Sequence, residues 1–346
     1  MKPRGVLLFI LLALLFLPGC VTAGGPQAVA ACAAEMARDD DGRLSVFFVT
    51  NREPSGRPQN AGFSHRRSDR LTYGRGVLAI PPLGPRRFGS LEGFSLDEVA
   101  TFPTSRALLA ALEADPRTRS SGTALVYSHG YNEGLQKSLF RFGQFVHDGC
   151  LKSVPILFSW PSRGTLLGHS YDQDSAAVSH DEFADLVRLV LRSEAFDDVD
   201  VMAHSMGNSV AMPALEALSA EQGGPAGERS RVRTVILASP DVDIEAFRQL
   251  LEPVRQSAEQ VFLLVSAEDR LLALSRLKAR GRPRAGDASE AELRHYGIAE
   301  QGNFKIIRMD DAATGPCPAL GHRCATANAH VVGTIKILFE APAAGL

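Results

Sequence analysis

The sequence has no excess of charge of either sign. Its 346 residues include 37 Lys and Arg against 39 Asp and Glu, a formal net charge of −2, and the two signs are interspersed. Arg66, Arg67 and Arg70 are too few to form the basic surface that nucleic acid binding requires. We therefore expect no nucleic acid partner, and a small neutral or amphiphilic substrate.

Zinc-type cysteine spacing and internal repeats are absent as well. None of the five cysteines has the spacing of a zinc site, so the sequence predicts neither a metal nor another cofactor. Hydrophobic residues make up 45% of the chain, which is enough for a sizeable core.

The apolar run Val6–Leu17 is too short to cross a bilayer stably. Lys2 and Arg4 precede it, as in an export signal. The pattern predicts three segments: a signal peptide over 1–19, a tether over 20–43 and a folded domain over 44–346.

Leu17-Pro18-Gly19-Cys20 resembles the lipobox of bacterial lipoproteins, in which cleavage leaves a diacylated cysteine as the first residue. Cys20 is then the lipidation site, and the protein is expected to be exported and held on the periplasmic side of a bacterial membrane. Val21, where an aspartate would change the sorting, favours the outer membrane. A simple signal peptide or an uncleaved anchor is the alternative.

Four further cysteines suggest disulfides in an exported protein. Cys317 and Cys324 are close enough to close a small loop, which leaves Cys32 with Cys150. Connectivity does not follow from sequence, and four buried free thiols are the alternative.

Strand-like apolar runs alternate with amphipathic helical segments along the chain. This alternation predicts an α/β protein with a mostly parallel eight-stranded sheet and helices on both faces. The predicted strands are 45–50, 76–80, 123–128, 154–159, 199–204, 232–238, 261–266 and 304–309. The predicted helices lie near 133–147, 178–193, 207–220, 243–251 and 270–279, with a last one from Ala329 onward.

Ser205 stands where one of these strands turns into a helix. A nucleophilic serine on such a strained turn needs small residues two positions before and after it, which Ala203 and Gly207 provide. The helix N-terminus then directs backbone N–H groups and its positive dipole end at the serine. A simple N-cap role for Ser205 is the alternative.

A serine hydroxyl needs a base to take its proton and an acid to orient that base. In the order typical of α/β-hydrolases the histidine comes last, after the final strand. His322 fits that position, whereas His330 falls in the first turn of the closing helix and His295 precedes the final strand. We predict His322 as the base and keep His330 as the alternative.

The acid is expected after a strand between the serine and the histidine. Asp269 follows the strand 261–266 and is our prediction. Asp241 and Asp243, after the preceding strand, are the competitors, and all three positions also suit helix capping.

An oxyanion hole needs two backbone donors directed at one point. The N–H of Met206, directly after the serine, is the first candidate, and the N–H of Tyr131 in the loop after the third strand is the second. Gly130 allows the backbone to approach a substrate closely.

Four motifs in order resemble a family of bacterial α/β-hydrolases of undefined substrate, commonly labelled esterase/lipase-like, over roughly residues 45–340. The motifs are Tyr127-Ser128-His129-Gly130-Tyr131-Asn132, Leu157-Phe158-Ser159-Trp160-Pro161-Ser162-Arg163-Gly164, Ala203-His204-Ser205-Met206-Gly207-Asn208 and Ala238-Ser239-Pro240-Asp241-Val242-Asp243. The resemblance implies that Trp160 and Tyr171 border the substrate pocket, with core packing as the alternative. The loop around His322 departs from the pattern because it carries two cysteines and no nearby aromatic residue.

The sequence as a whole predicts a serine hydrolase that cleaves a small acyl ester through an acyl-enzyme on Ser205. An acyltransferase with the same acyl-enzyme and a noncatalytic lipoprotein of this fold are the other two interpretations. The acyl chain length and any protein partner are not predictable from the sequence.

Overall fold

The computed structural model describes residues 42–83, 86–221, 232–310, 317–318 and 320–341. The predicted signal peptide, Cys20, Cys32 and nearly all of the predicted tether lie outside these residues. Within the described part, no helix is both long and apolar enough to cross a membrane.

One sheet organises the described residues. Its nine strands lie in the order β3-β2-β1-β5-β4-β6-β7-β8-β9. The pairs β3–β2 and β2–β1 at one edge are antiparallel, and all the other pairs are parallel. The strands are β1 Arg43–Pro54, β2 Phe63–Ala79, β3 Ser95–Phe102, β4 Thr123–Ser128, β5 Val154–Ser159, β6 Asp198–His204, β7 Val232–Ala238, β8 Gln260–Val265 and β9 Phe304–Arg308.

Helices cover both faces of the sheet. They are α1 Ser105–Ala114, α2 Pro116–Ser121, α3 Leu135–Asp148, α4 His169–Ala177, α5 His180–Leu191, α6 Asn208–Glu221, α7 Ile244–Gln256, α8 Arg270–Lys278, α9 Glu290–His295, α10 Cys324–Ala327 and α11 Ala329–Glu340. Two short 3₁₀ turns, Gln59–Gly62 and Ser205–Gly207, complete the set in the described chain.

Alternate residues of the central strands enter two separate cores. In β4, Ala124 and Val126 belong to one buried cluster, and Leu125 and Tyr127 belong to the other. Successive side chains of a strand point to opposite faces, so a strand buried on both faces consists of a continuous apolar run. Helices α1, α5, α6 and α7 cover the first core, while α3 and α11 cover the second.

The predicted α/β class with a mostly parallel sheet is confirmed, but the predicted number of strands is one too few. The missed strand, β3, lies at the antiparallel edge and reads Ser-Leu-Asp-Glu-Val-Ala-Thr-Phe, with no fully buried residue. An edge strand of this kind carries little apolar signal. β2 is likewise longer than predicted, because its first half is charged and exposed.

Candidate active site

Ser205 lies on a sharp turn between β6 and α6. Its backbone φ is +55°, a left-handed value that a side-chain-bearing residue adopts only when the surroundings enforce it. Gly207 explains part of that enforcement, since a Cβ at this position would lie 2.5 Å from the carbonyl oxygen of Ser128. The turn is therefore pressed against the end of β4, and the serine is held at the carboxyl edge of the sheet.

Three side chains from separate segments form one hydrogen-bonded chain. The Oγ of Ser205 is 2.8 Å from Nε2 of His322, and Nδ1 of His322 is 2.7 Å from Oδ2 of Asp269. A carboxylate only accepts hydrogen bonds, so Nδ1 carries the proton and Nε2 is left to accept from the serine hydroxyl. The sequence reasoning named these three residues, and the fold brings them together.

Asp269 is fully buried, and both of its carboxylate oxygens are engaged. While Oδ2 faces His322, Oδ1 accepts from the backbone N–H groups of Leu271 and Leu272 at 3.1 and 3.0 Å, which caps helix α8. The capping role that competed with the acid role is thus present as well. The helix N-terminus fixes the carboxylate that orients His322.

Asp241 and Asp243, the other candidates for the acid, have partners other than His322. Asp243 caps helix α7 by accepting from the N–H of Glu245 at 3.1 Å. Asp241 accepts from the Ser275 hydroxyl at 2.6 Å and pairs with Arg284 at 3.3 Å.

The two other candidate histidines are also placed away from the serine. The N–H of His330 is capped by the side chain of Asn328 at 3.0 Å at the start of α11. His295 ends helix α9.

The loop after β4 passes directly against the serine. A Cβ on Gly130 would lie 3.0 Å from the Cβ of Ser205, so only glycine allows this approach. The backbone N–H groups of Tyr131 and Met206 have no hydrogen-bond acceptor among the described residues. The predicted pair of donors therefore lies beside Ser205 without an acceptor among the described residues.

A buried network beneath this loop was not predicted from the sequence. Nδ1 of His129 donates to the carbonyl oxygen of Gly130 at 2.8 Å, which fixes the peptide plane that also carries the N–H of Tyr131. Arg52, fully buried, donates to the carbonyl oxygen of Glu133 at 2.8 Å and to that of Ser162 at 2.9 Å. His129 and Arg52 thus hold the loop from the side that faces the protein interior.

Burial controls the charge of this network. It lowers the pKa of His129 to about 3, with a further contribution from the nearby Arg52. It also lowers the pKa of Arg52 to about 9. Near neutral pH, His129 is therefore neutral and Arg52 is charged.

His204, directly before Ser205, contacts the loop that carries His322. Its ring is 5.0 Å from that of His322, and its Nε2 donates to the carbonyl oxygen of His322 at 3.0 Å. Burial lowers the pKa of His204 to about 3, with His322 adding to the shift. The side chain is thus a neutral donor that holds the loop of the catalytic-base candidate.

The predicted substrate contacts of Trp160 and Tyr171 are not supported. Trp160 is fully buried, stacks on His129 at 4.8 Å and donates from its indole nitrogen to the carbonyl oxygen of His129 at 2.7 Å. Tyr171 donates to the carbonyl oxygen of His65 and packs under the guanidinium groups of Arg67 and Arg163. Neither lines the cavity beside Ser205. The motif that contains Trp160 therefore packs behind the loop after β4.

Cys317 and Cys324 are joined by a disulfide, with Cα atoms 4.9 Å apart. It closes the loop that carries His322. The predicted pairing of Cys150 with Cys32 includes a residue outside the described part of the chain. No group of three or more His, Cys, Asp or Glu side chains in the described ranges is arranged to hold a metal ion.

The fold and this arrangement define the class of protein as an α/β-hydrolase. Residues 105–340 match the model of a family described as alpha/beta hydrolase of unknown function (DUF900). The match covers more than half of the chain, so the protein belongs to that family. The resemblance inferred from the four motifs is confirmed at the level of the superfamily.

Several solved structures are similar over most of their length. A predicted CIB-like hydrolase from Thermoplasma acidophilum is 12% identical with a TM-score of 0.37, over 78% of this chain and 92% of that chain. An esterase from Pyrococcus furiosus is 12% identical with a TM-score of 0.33, over 69% and 77%. A thermostable esterase from Pseudomonas putida is 10% identical with a TM-score of 0.35, over 90% and 86%. Comparison with curated protein sequences gives no significant match.

Proposed function

We propose that this protein is a serine hydrolase that cleaves carboxylic esters through an acyl-enzyme on Ser205. The observation that carries the proposal is the hydrogen-bonded chain from Ser205 Oγ through His322 to Asp269, with contacts of 2.8 and 2.7 Å. A serine that only caps a helix has no use for an oriented imidazole at this distance.

In the acylation step, Ser205 Oγ attacks the ester carbonyl while Nε2 of His322 takes the hydroxyl proton. Asp269 stabilises the imidazolium that forms and keeps its proton on Nδ1. His322 then protonates the leaving alkoxide, and the acyl group stays on the serine.

The negative charge on the tetrahedral intermediate needs donors that are already in place. The N–H groups of Met206 and Tyr131 are our candidates, since both lie beside the serine and the peptide before Tyr131 is fixed by His129. Preorganised donors of this kind contribute about 10²–10³ in kcat each. Water activated by His322 completes the cycle by hydrolysing the acyl-enzyme.

A fluorophosphonate probe and a p-nitrophenyl butyrate assay test the proposal. We expect Ser205-dependent labelling and hydrolysis, both lost in Ser205→Ala. The matched control is Ser239→Ala, because Ser239 also follows a parallel strand with a positive φ, of 44°, and is fully buried. It has no hydrogen bond to a histidine in the described chain, so its substitution is expected to leave labelling intact.

The same experiments separate the other interpretations. Absence of labelling in the folded wild type contradicts catalysis and supports a noncatalytic role. If labelling occurs, product analysis with and without an added alcohol distinguishes hydrolysis from acyl transfer, because transfer converts the substrate into a new ester.

We also propose that the chain is exported and anchored through a lipid on Cys20, facing the periplasm. The support is the basic, apolar and small-residue order of the first twenty residues. Metabolic labelling with an alkyne fatty acid is expected to mark the wild type. Cys20→Ser is expected to lose the label and leave the membrane fraction, and persistent labelling of that variant contradicts the proposal.

A further inference from the structure

The cavity beside Ser205 has a volume of about 380 Å³ and two kinds of lining. One part, which we call the basic cluster, consists of Lys137, Arg141 and Arg323. The other, the leucine cluster, consists of three side chains from α8 and the loop after β5: Leu166, Leu271 and Leu274.

Two members of the basic cluster lack an ionic partner. Arg141 pairs with Glu133 at 2.9 Å, but neither Lys137 nor Arg323 has an ion pair among the described residues. The ammonium of Lys137 donates only to the carbonyl oxygen of Asn132 at 2.8 Å. Nε of Arg323 is buried with no hydrogen-bond partner at all in this part of the chain. An unpaired buried donor is unfavourable, and an anion that bound it would relieve this cost.

The carboxylates that line the cavity do not supply that anion. Glu133 pairs with Arg141 through Oε1, and Asp241 is taken up by Ser275 and Arg284. Oε2 of Glu133 has no hydrogen-bond partner among the described residues, and the charge of Glu133 raises the pKa values of Lys137 and Arg323 without forming an ion pair with either. Burial lowers the pKa values of both Lys137 and Arg323, and the charge of Arg141 lowers them further. The three cations therefore repel one another in a partly desolvated site. Lys278 also lines the cavity but is exposed and contributes little to this balance.

The leucine cluster is open to an apolar group. Leu166 is 75% exposed and Leu274 is 49% exposed, although both lie against the cavity. Exposed leucines beside a reactive serine suit the hydrocarbon chain of an acyl group, since binding removes that apolar surface from water.

The chemistry of the site orients such a substrate. The leaving alkoxide must receive its proton from Nε2 of His322, so the alcohol part of the ester lies on the His322 side. Arg323 follows His322 directly and lines the same cavity, so we assign the basic cluster to the alcohol. The acyl chain is left to the leucine cluster.

We infer that the natural ester joins an apolar acyl chain to an alcohol that carries a phosphate, and that Lys137 and Arg323 bind this phosphate. The inference rests on the proposed esterase function and adds the substrate class. The cleaved ester bond is that between the acyl carbon and the alcohol oxygen, so water yields a carboxylic acid and the free phosphate-bearing alcohol.

The first test compares butyryl glycerol 3-phosphate with butyryl glycerol as substrates of the full-length protein. We expect kcat/KM to favour the phosphate ester by at least about tenfold and the preference to shrink at high ionic strength. In Lys137→Met and Arg323→Gln the ratio of the two kcat/KM values is expected to fall about tenfold. The matched controls, Lys152→Met and Arg87→Gln, replace exposed cations away from the cavity and are expected to keep the ratio.

Equal kcat/KM values in the wild type within both this pair and the oleoyl pair described below, or an unchanged ratio in both cluster variants, overturn the inference while leaving the esterase proposal intact. If neither ester is cleaved, the esterase proposal fails, and binding decides the phosphate site on its own. Calorimetry of Ser205→Ala with glycerol 3-phosphate is then expected to detect binding that Arg323→Gln weakens about tenfold. Absence of binding overturns the inference.

A second pair of substrates identifies the source of the phosphate. Oleoyl glycerol 3-phosphate and oleoyl glycerol are compared in mixed micelles. A phosphate preference confined to the oleoyl pair supports a lipid headgroup, and one present in the butyryl pair supports a soluble phosphate ester. Equal rates within both pairs contradict the phosphate site altogether.

Discussion

The turn that carries Ser205 and the loop that carries His322 are held in different ways. The serine turn continues a fully buried strand, and the carbonyl of Ser205 accepts from the side chain of Asn208 at 2.9 Å and from the N–H of Asp241 at 3.2 Å. The histidine loop has no strand of its own. It depends on Asp269, on His204 and on the hydrogen bond from the N–H of Arg270 to the carbonyl of Leu320 at 3.0 Å.

The two segments of the site are thus fixed by different forces: core packing fixes the serine turn, and a small number of contacts fixes the histidine loop. Packing of the sheet fixes Ser205, because any displacement would disturb the apolar core. A few polar contacts and one disulfide fix His322, so each contact has a larger share in its position. The two segments should therefore respond differently to substitution.

The largest effect on kcat is expected when the side chain of either Ser205 or His322 is removed. Ser205→Ala and His322→Ala should each lower kcat by about 10⁴–10⁶, and the double variant should lose no more than the stronger single one, because the residues act as a unit. Steady-state kinetics on a p-nitrophenyl ester measures this, with thermal unfolding as a control for folding. Additive losses contradict a shared mechanism.

Next in size is the loss of charge at the residue that orients His322. Asp269→Asn should lower kcat by about 10³–10⁴, because an amide in this place favours the wrong imidazole tautomer. Asp243→Asn is the matched control, since Asp243 caps helix α7 as Asp269 caps α8. Both substitutions alter a cap, and only the first is expected to change kcat. Equal kcat values in the two variants would falsify the orienting role.

Substitution of the two buried histidines compares the support of the loop after β4, which packs on Ser205, with the support of the loop that carries His322. His129→Phe keeps a ring on Trp160 but loses the bond to the carbonyl of Gly130, and we expect kcat to fall about 10–100-fold with little change in KM. His204→Phe loses the bond to the carbonyl of His322, and we expect about a tenfold fall because Asp269 still orients the ring. Kinetic measurements in which the two variants match the wild type rule out both positioning roles.

The lowered pKa values of His129 and His204 predict how the free energy of unfolding depends on pH. The pKa values of His129 and His204 are lowered by burial to about 3 in the folded state, against an ordinary value of 6.5. The unfolded chain therefore binds more protons as the pH falls below about 6.5, and the free energy of unfolding should drop by about 1.4 kcal/mol per pH unit for each histidine. Urea denaturation between pH 6.5 and 4 should give a shallower slope in each phenylalanine variant than in the wild type.

The smallest effect is expected from the disulfide of the histidine loop. Cys317 and Cys324 are seven positions apart, and closing so short a loop stabilises the folded state by roughly 2 kcal/mol. Cys317→Ser with Cys324→Ser should lower the unfolding free energy by about that amount and reduce kcat only severalfold. A loss of activity as large as that of His322→Ala indicates that the disulfide, and not Asp269 and His204, holds the base.

The sequence predicted the parts of the molecule that are encoded locally. Strands β4 to β8 are mostly apolar because they are buried on both faces, and Ser205 has small neighbours because its turn presses on β4. The sequence did not predict strand β3 or the first half of β2, because an exposed edge requires few apolar residues. Trp160 was given two interpretations, pocket lining and core packing, because the sequence does not distinguish them, and the structure places it in the buried interior.

Only the tertiary structure decided which distant residues meet. Ser205 and His322 are 117 positions apart, and the strand order β4-β6-β7-β8 determines that the loops carrying Ser205 and Asp269 open onto the same sheet edge. The contact of His322 with Asp269, the contacts of Arg52 and His129 with the loop after β4, and the absence of ion pairs at Lys137 and Arg323 among the described residues all follow from that packing. Local sequence sets the backbone and the apolar periodicity, whereas partners between separate segments depend on a fold that no single segment encodes.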